Sequence, residues 1–320
     1  MTMQVEAFAA AKYIKQIGRG KEGARSLSRA EAEELYGAML DGRVSDLELG
    51  GILLAMRIKG ESIAEIDGFL DAVRNRMQLL SAPSACAYAP VIIPSYNGAR
   101  KRPNLTPLLA LLLAREGVPV LVHGVRTDAG RTASAEIWQA LGRTLANDAA
   151  QANQELAQDG VSFIAIDTLM PGMHALLEKR RILGLRSSTH TLVKVMQVFD
   201  SAALRLTSYT HPEYQVMLDD YYTHCMPAEQ GAALLMRGTE GETVASTGRA
   251  QQISLYYRGQ MSILQEQQSS LEQEHDDLPT AIDAETTVAW IKQVLAGERA
   301  VPVNIAQQVH YCKQAAANLR

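Results

Sequence analysis

Two hydrophobic patterns divide this chain, and each predicts a different kind of structure. From residue 27 to residue 77 apolar residues recur at helical spacing, and Ser28 and Ser62 stand where helix N-caps are expected. Further along, short apolar runs rich in β-branched residues alternate with helical patterns. Five such runs lie at 90–94, 119–123, 161–166, 203–209 and 233–238. This alternation predicts a mostly parallel sheet covered by helices on both faces.

The change of pattern predicts two domains of unequal size. Residues 1–85 are expected to form a small all-α domain, and residues 86–320 an α/β domain. In the second domain LTPLLALLLAREG, at 105–117, predicts a buried crossover helix with Thr106 as its cap. The polar, acidic stretch 264–283 lacks apolar periodicity, so we expect it to leave the sheet.

The composition excludes several classes of protein. With 47% hydrophobic and 21% charged residues the chain is not disordered, and its three well-separated cysteines exclude a disulfide framework and a C-x-x-C zinc site. The first residues lack the apolar core of a signal peptide. The longest apolar run, 108–114, is far shorter than the roughly 20 residues of a membrane span. We therefore expect a cytoplasmic protein with no membrane partner.

A net charge of −4 conceals an uneven distribution along the chain. Residues 12–29 carry six basic residues and one acid, whereas residues 264–285 carry seven acids and neither Lys nor Arg. Such asymmetry is typical of proteins that bind a polyanion. A solvated helical face beside an acidic surface loop would give the same pattern, so charge alone leaves both interpretations open.

Four stretches in order along the chain resemble the anthranilate phosphoribosyltransferase family, also called glycosyltransferase family 3. They are residues 27–77, VHGVR at 122–126, MPGM and RRILGLR within 170–186, and LLMRGTEGE at 234–242. The resemblance implies a nucleoside phosphorylase-like fold, in which a small all-α domain is joined to an α/β domain with a mostly parallel central sheet flanked by helices. Residues from about 170 to 195 would fold back onto the helical domain. A homodimer formed through the helical domain is also implied.

The chain departs from the family where the family binds phosphoribosyl pyrophosphate and magnesium. The family's GTGGDG loop is matched by PSYNGARKRPN at 94–104, which keeps one glycine, so the diphosphate cradle is predicted to be lost. The family's Asp-Glu pair, which organises magnesium, falls on Thr243 and Val244. IPSYNGARK, LTPLLA and HPEY…LLMRGTEGE together resemble the YbiB-like branch, which is associated with nucleic-acid binding. We therefore predict a protein that is not an enzyme, with no catalytic residue, cofactor or metal.

Basic residues remain where the family binds phosphate, and we predict that they form a groove for DNA or RNA. The predicted site residues are Arg100, Lys101, Arg102, Arg126, Arg131, Arg180, Arg181, Arg186 and Lys194. Contacts to phosphate supply affinity without distinguishing bases, so binding should not depend on sequence. Two simpler interpretations stay open: residues 100–102 could be a solvated loop, and Arg180 and Arg181 could be charges at a helix C-terminus.

Two other functions stay open. A magnesium-dependent phosphoribosyl or other pentosyl transferase with a different acceptor would use Glu240 or Glu242 for its metal. A protein-interaction scaffold would hold a basic partner on the acidic segment 264–285. The histidines lack the spacing of a metal-binding motif, so capping and core roles are expected for them.

Overall fold

A computed structural model describes residues 6–268 and 278–320 of the chain. It divides into two compact units, which are residues 1–77 with 170–196, here called the helical unit, and residues 78–169 with 197–320, here called the α/β unit. The predicted fold class, a small all-α part and an α/β part with a mostly parallel sheet, is confirmed. Of the acidic stretch, residues 269–277 lie outside the described residues.

Helices and strands are numbered here in chain order. The helices are α1 (Ala11–Ile17), α2 (Gly20–Gly23), α3 (Arg29–Leu40), α4 (Asp46–Lys59), α5 (Ile63–Arg74), α6 (Thr106–Arg115), α7 (Ser134–Ala140), α8 (Ala149–Asp159), α9 (Ile166–Leu169), α10 (Pro171–Glu178), α11 (Arg180–Leu183), α12 (Thr189–Val195), α13 (Pro212–His224), α14 (Ala284–Ala296) and α15 (Val303–Ala317). The strands are β1 (Val91–Ser95), β2 (Val120–Gly124), β3 (Val161–Ala165), β4 (Ala203–Tyr209), β5 (Gly231–Arg237), β6 (Ile253–Tyr257) and β7 (Gln260–Gln265).

Local capping signals set where two helices of the helical unit begin. The Ser28 hydroxyl accepts a hydrogen bond from the main-chain N–H of Glu31, whose carboxylate accepts from the N–H of Ser28. Ser62 and Glu65 form the same reciprocal arrangement at the start of α5. Each capping box satisfies two donors that a helix start would otherwise leave unpaired, so both caps predicted from the sequence are confirmed.

The segment 170–196 supplies α10, α11 and α12 to the helical unit. The rings of Tyr36 and Phe69 pack 4.8 Å apart between α3 and α5. The buried Tyr36 hydroxyl lies 2.9 Å from the hydroxyl of Thr189, at the start of α12. Ser188 also donates a hydrogen bond to Glu61. Polar contacts as well as packing therefore tie the returning segment to the first helices.

The sheet of the α/β unit has the order β3-β2-β1-β4-β5-β6-β7. Its first five strands are parallel and match the five predicted runs, whereas β6 and β7 add an antiparallel edge that the sequence analysis missed. Arg258 and Gly259, both with positive φ, join β6 to β7. A two-residue turn of this kind matches the twist of a hairpin. Every residue of β1, β2 and β3 is buried, as expected for parallel strands covered on both faces.

Helix α6 follows β1 and lies in the core, as its apolar composition predicts. Leu108 and Leu109 are completely buried. The predicted cap is wrong by one residue, because Leu105 occupies the N-cap position and Thr106 is already helical. The side-chain oxygen of Asn104 accepts the main-chain N–H of Thr106 at 3.1 Å, so an asparagine performs the role expected of the threonine.

Over residues 6–268 and 278–320, none of the helices combines the length and apolar composition that crossing a bilayer requires. The cytoplasmic location stays a prediction.

Candidate functional site

The loop after β1 lies at the topological switch point of the sheet, where later strands are added on the opposite side of β1. From β1 the chain adds β2 and then β3 on one side, and later adds β4 and β5 on the other. In open α/β sheets, ligands bind beyond the carboxyl ends of the strands at such a switch point. The β1 loop (residues 96–105) follows the carboxyl end of β1, and the β5 turn (residues 238–242) follows the carboxyl end of β5.

Main-chain N–H groups of the β1 loop converge on two glutamates of the β5 turn. The N–H groups of Asn97 and Gly98 both donate to one Glu242 oxygen, each at 2.7 Å. Arg100 N donates to Glu240 at 2.7 Å and Lys101 N at 3.0 Å, while Arg102 N lies 3.5 Å from the same carboxylate. Consecutive N–H groups that point into one concavity form an anion-binding nest. Here the protein's own carboxylates occupy it.

Two glycines allow the β1 loop and the β5 turn to approach each other. Gly98 has φ +67, and a Cβ there would lie 2.7 Å from the carbonyl oxygen of Thr132. Gly241 has φ +94, and a Cβ there would lie 2.5 Å from the side-chain nitrogen of Asn97, which donates to the Gly241 carbonyl. Arg131 donates to the carbonyls of Asn97 and Gly98 at 3.2 and 3.4 Å. Arg131, a predicted phosphate ligand, therefore holds the loop in shape.

Buried polar side chains support the β1 loop from below. The Ser95 hydroxyl donates to Ser134 at 2.7 Å, and Asn104 donates to the same hydroxyl at 2.9 Å. The Tyr96 hydroxyl lies 2.7 Å from Nδ1 of His123. Burial lowers the pKa of His123 to about 3 and raises that of Tyr96, so the histidine is neutral at physiological pH. His123 has the core role that the sequence analysis expected.

The other predicted cations of the α/β unit differ in their surroundings. The side chains of residues 100–102 are exposed. Arg126 extends from the end of β2 and donates to Asp167 at 2.7 Å and to Thr168 at 3.0 Å. Exposed side chains on a fixed main chain can reach a phosphate by changing rotamer. Arg126 would first have to leave its carboxylate.

In the helical unit, three predicted cations act on one imidazole. Burial is the largest cause that lowers the pKa of His190 to about 4, and the charges of Arg186, Arg180 and Lys194 lower it further. The main-chain N–H of Ser187 donates to Nδ1 of His190 at 3.2 Å, which leaves the proton of the neutral ring on Nε2. We call Arg180, Arg186 and Lys194 the cation cluster.

Two further basic residues beside the cation cluster pair with acids. Nε of Arg181 lies 2.9 Å from a carboxylate oxygen of Glu178, and Nζ of Lys179 lies 3.1 Å from a carboxylate oxygen of Asp46. Lys179 follows the last residue of α10, and Arg180 and Arg181 open α11. The guanidinium of Arg181 would have to leave Glu178 before it could bind a phosphate.

Models of two domains of one glycosyl transferase family match most of this chain. The helical bundle domain of the family matches residues 11–77, and its a/b domain matches residues 98–315. This chain belongs to that glycosyl transferase family. The family resemblance seen in the sequence is therefore confirmed.

One relative matches nearly the whole chain, and others match about half of it. It is 43% identical to the uncharacterized Escherichia coli protein YbiB over 302 residues, which cover 94% of this chain and 92% of YbiB. It is 33% identical to the anthranilate phosphoribosyltransferase of Beijerinckia indica over 175 residues, 55% of this chain and 49% of that enzyme. The chain thus spans about half the length of the curated anthranilate phosphoribosyltransferases it matches.

Solved structures share the fold of this family member. The anthranilate phosphoribosyltransferase from Thermus thermophilus has a TM-score of 0.68 at 22% identity, covering 96% of this chain and 88% of its own. The enzyme from Saccharomyces cerevisiae in complex with PRPP and Mg has a TM-score of 0.72 at 14% identity, covering 94% and 87%. At these identities the likeness shows the fold alone.

The prediction that this chain is not an enzyme is wrong. Its relatives and structural neighbours include anthranilate phosphoribosyltransferases, which are enzymes. The β1 loop, with Gly98 as its one glycine, still directs main-chain N–H groups at common acceptors, here the carboxylates of Glu242 and Glu240. Nothing in the described part of the chain shows that an active site has been lost.

Magnesium, which phosphoribosyl transfer in this family implies, does not fit the two glutamates in this arrangement. Glu240 and Glu242 direct their oxygens at main-chain N–H groups, and those hydrogens occupy the positions that a cation would need. Over residues 6–268 and 278–320, no group of three or more His, Cys, Asp and Glu side chains is placed to hold a metal ion.

Sequence reasoning missed two features of these sites. It considered Glu240 and Glu242 only as metal ligands, although they bind a loop about 140 residues earlier in the chain. It also gave His190 an ordinary role, although the three charges of the cation cluster lower its pKa. The spacing of His190 and Lys194, four residues apart on one helix, was a signal that could have linked them.

Proposed function

We propose that this member of the glycosyl transferase family binds the sugar-phosphate backbone of DNA or RNA without sequence preference. The observation that carries the proposal is that one segment of the helical unit, residues 170–196, holds Arg180, Arg186 and Lys194, whose charges all lower the pKa of His190. Arginine and lysine neutralise phosphates and release counterions, which gives affinity that does not depend on base sequence. The neutral imidazole adds a donor beside the three charges without adding to their repulsion.

The exposed side chains of Arg100, Lys101 and Arg102 support the proposal as a second contact region. They project from the loop at the switch point of the sheet, where α/β proteins bind phosphates. Their main chain is bound to Glu240, so contacts made by these side chains alone would not require the loop to change.

Fluorescence anisotropy of a random-sequence oligonucleotide at several salt concentrations tests this function. The wild type should bind, and Arg180→Gln/Arg186→Gln/Lys194→Gln should bind much more weakly. Arg115→Gln/Lys292→Gln/Lys313→Gln makes the same change of charge elsewhere and should bind like the wild type. No binding by the wild type at low salt, or an equal loss in both variants, would contradict the proposal.

The proposed partner of this chain is also a second copy of itself, joined through the helical unit. Helix α4 exposes Leu47, Leu54 and Ile58, of which Leu47 is 89% exposed. Leu54 and Ile58 border a groove of about 250 Å³ whose walls include Ile14 and Ile17 of α1. An apolar helix face beside such a groove is typical of a protein–protein interface. Light scattering should give a dimer for the wild type and for Val216→Glu, and a monomer for Leu54→Glu/Ile58→Glu.

Pentosyl transfer is the second candidate, favoured by the convergent N–H groups of the β1 loop. Such groups bind phosphate, and the yeast enzyme of the same fold is described in complex with PRPP and Mg. Calorimetry with phosphoribosyl pyrophosphate, with and without magnesium, tests this candidate. Heat of binding at millimolar ligand would support it, and no heat would remove it.

A further inference from the structure

The two glutamates that fill the β1 loop are held in different ways. Glu242 is 2% exposed, and its carboxylate accepts from two main-chain N–H groups and lies 3.5 Å from the Thr106 hydroxyl. Glu240 is only partly buried, and its carboxylate binds the part of the loop whose side chains are exposed cations. Glu242 is therefore an internal part of the loop, whereas Glu240 lies at the surface.

The main chain at Glu240 is strained. Its φ of +52 lies in the left-handed region, which a residue other than glycine rarely adopts. The neighbouring residues Thr239 and Glu242 form a bridge through reciprocal hydrogen bonds of 3.1 and 2.9 Å, which fixes the turn. The hydrogen bonds from the loop to the Glu240 carboxylate offset this strain, so their loss would let the turn relax.

The space between the β1 loop and the β5 turn is too small for a phosphate. Gly98, Arg102, Asn104 and Glu240 border a cavity of about 10 Å³. That volume accommodates one water at most, and a phosphate is several times larger. A phosphate could reach the N–H groups of residues 100–102 only if the Glu240 carboxylate moved away.

A buried hydroxyl at the same place also indicates an anionic ligand. Thr239 borders the cavity, and its Oγ1 is buried without a hydrogen-bond partner among the described residues. A buried hydroxyl without a partner is uncommon, and it is able to donate to an oxygen that enters the cavity. This observation is independent of the contacts made by Glu240.

We propose that the Glu240 carboxylate is a built-in competitor for phosphate, which closes the β1 loop until a phosphate group displaces it. A phosphate with two or more anionic oxygens accepts the N–H groups of residues 100–102 and the Thr239 hydroxyl in place of Glu240. The cations of residues 100–102 then face the phosphate. This inference rests on the proposed function, since it names the residue that limits which phosphates enter the site.

Titration with inorganic pyrophosphate tests the competition directly. Calorimetry should show binding at least tenfold tighter for Glu240→Gln, which keeps the size and loses the charge, than for the wild type. Glu240→Gly, which also removes the strain at positive φ, should bind at least as tightly as Glu240→Gln. Glu229→Gln, an exposed glutamate of the same unit, should equal the wild type. Equal affinity in all four proteins would overturn the proposal, as would weaker binding by the two Glu240 variants.

Two further measurements locate the phosphate and identify its source. In ¹⁵N spectra of Glu240→Gln, pyrophosphate should shift the amide signals of residues 100–102, and shifts confined to other residues would overturn the proposal. Pyrophosphate should also compete with an oligonucleotide that carries a 5′-phosphate if terminal phosphates enter the site. Competition only with phosphoribosyl pyrophosphate would instead assign the site to a small phosphorylated ligand. Either source supports displacement of Glu240.

The outcomes separate this proposal from the nucleic-acid proposal. Loss of oligonucleotide binding in the cation-cluster variant, with no gain of pyrophosphate binding in the Glu240 variants, would overturn the role of Glu240 and leave nucleic-acid binding supported. A gain of pyrophosphate binding without any oligonucleotide binding by the wild type would support the role of Glu240 and contradict nucleic-acid binding.

Discussion

The helical unit and the α/β unit each collect groups that attract anions, but they use different chemistry. In the helical unit the attraction comes from side-chain charges, those of Arg180, Arg186 and Lys194 around His190. In the α/β unit it comes from main-chain N–H groups, which are already bound to Glu240 and Glu242. The first is long-ranged and screened by salt, since the Debye length is about 8 Å at physiological ionic strength. The second acts at hydrogen-bond distance and depends on the shape of the loop.

The difference separates two kinds of selectivity. Charged side chains accept any backbone phosphate, because they adapt their rotamers to it. An N–H nest selects an anion that fits its geometry and can displace the group already there. Under the two proposals, the helical unit would therefore bind long polyanions, and the β1 loop would bind a small phosphate or a terminal one.

The largest expected effect separates the cation cluster from the loop cations. Arg180→Gln/Arg186→Gln/Lys194→Gln should lower oligonucleotide affinity on the order of 1,000-fold at low salt, because each of three hydrogen bonds to a charged group contributes at least about 1.5 kcal/mol. The slope of log K against log salt on duplex DNA should flatten by up to about 2.7, since each phosphate contact contributes ~0.9. Arg100→Ala/Lys101→Ala/Arg102→Ala should lose about tenfold, because exposed side chains must be ordered on binding. The opposite ranking would move the main contact to the α/β unit.

A smaller effect tests whether the loop needs its glycine. Gly98→Ala should lower the free energy of unfolding by about 2 kcal/mol, because it adds a contact of 2.7 Å with the Thr132 carbonyl to the strain of positive φ. Gly142→Ala has φ +85 with no atom within 4 Å of the new Cβ, so it isolates the backbone strain, about 1 kcal/mol. Urea unfolding measures both variants. Equal losses would mean that the loop yields to the extra methyl group.

A third effect concerns the stability that Glu240 contributes. Burial raises the pKa of Glu240, but the N–H groups of Arg100, Lys101 and Arg102 and the charge of Arg131 together bring it below its ordinary value. A carboxylate with a lowered pKa stabilises the folded state above its unfolded pKa, and this contribution is lost as the pH falls through the folded pKa.

Glu240→Gln should therefore lower the free energy of unfolding by about 1 kcal/mol at pH 7. The difference between Glu240→Gln and the wild type should shrink towards zero in acid. Urea unfolding at a series of pH values measures it, with Glu229→Gln as the control. A difference that stays constant from pH 7 to pH 3 would show that the charge of Glu240 is not what stabilises the loop.

The smallest expected effect is a change in the pKa of His190 in the helical unit. His123 in the α/β unit serves as the comparison within the same sample. A bound oligonucleotide should raise the pKa of His190 from about 4 by roughly 0.5 unit, because phosphates offset the neighbouring cations. His123, whose pKa of about 3 results from burial, should not respond. Since the complex holds the proton more tightly, binding should strengthen as the pH falls towards 4. Histidine ring signals in NMR measure both pKa values, and a shift of His123 alone would place the anion in the α/β unit.

Local signals in the sequence were enough to predict much of the fold. Ser28 and Ser62 act through residues three positions away, so their caps could be recognised from short stretches of sequence. The parallel strands are continuous apolar runs, as burial on both faces requires. The hairpin of β6 and β7 was missed, although ISLYYRGQMSILQ contains the Arg-Gly pair at its turn. Its outer strand is exposed and therefore lacks a strong apolar pattern.

The candidate sites were harder to predict, because they depend on contacts between distant parts of the chain. Glu240 meets Arg100 at a separation of 140 residues, and only the strand order brings the two together. The convergence of N–H groups on a loop with one glycine depends on main-chain angles, which residue types alone do not specify. The cations that lower the pKa of His190 were predicted as site residues from the family resemblance, whereas His190 was not.

The helical unit is built from two separate stretches of the chain, and this affects how it folds during synthesis. The hydrogen bond between Tyr36 and Thr189 joins residues 153 positions apart, with most of the parallel sheet encoded between them. At a synthesis rate of 5–20 residues per second, roughly 8–30 s separate the emergence of one partner from that of the other. Once α5 has also emerged, the first five helices exist without the segment that completes their core for the rest of that interval. A nascent chain stalled before residue 170 would therefore present apolar helix faces to chaperones, and the helical unit could mature only after several strands had left the ribosome.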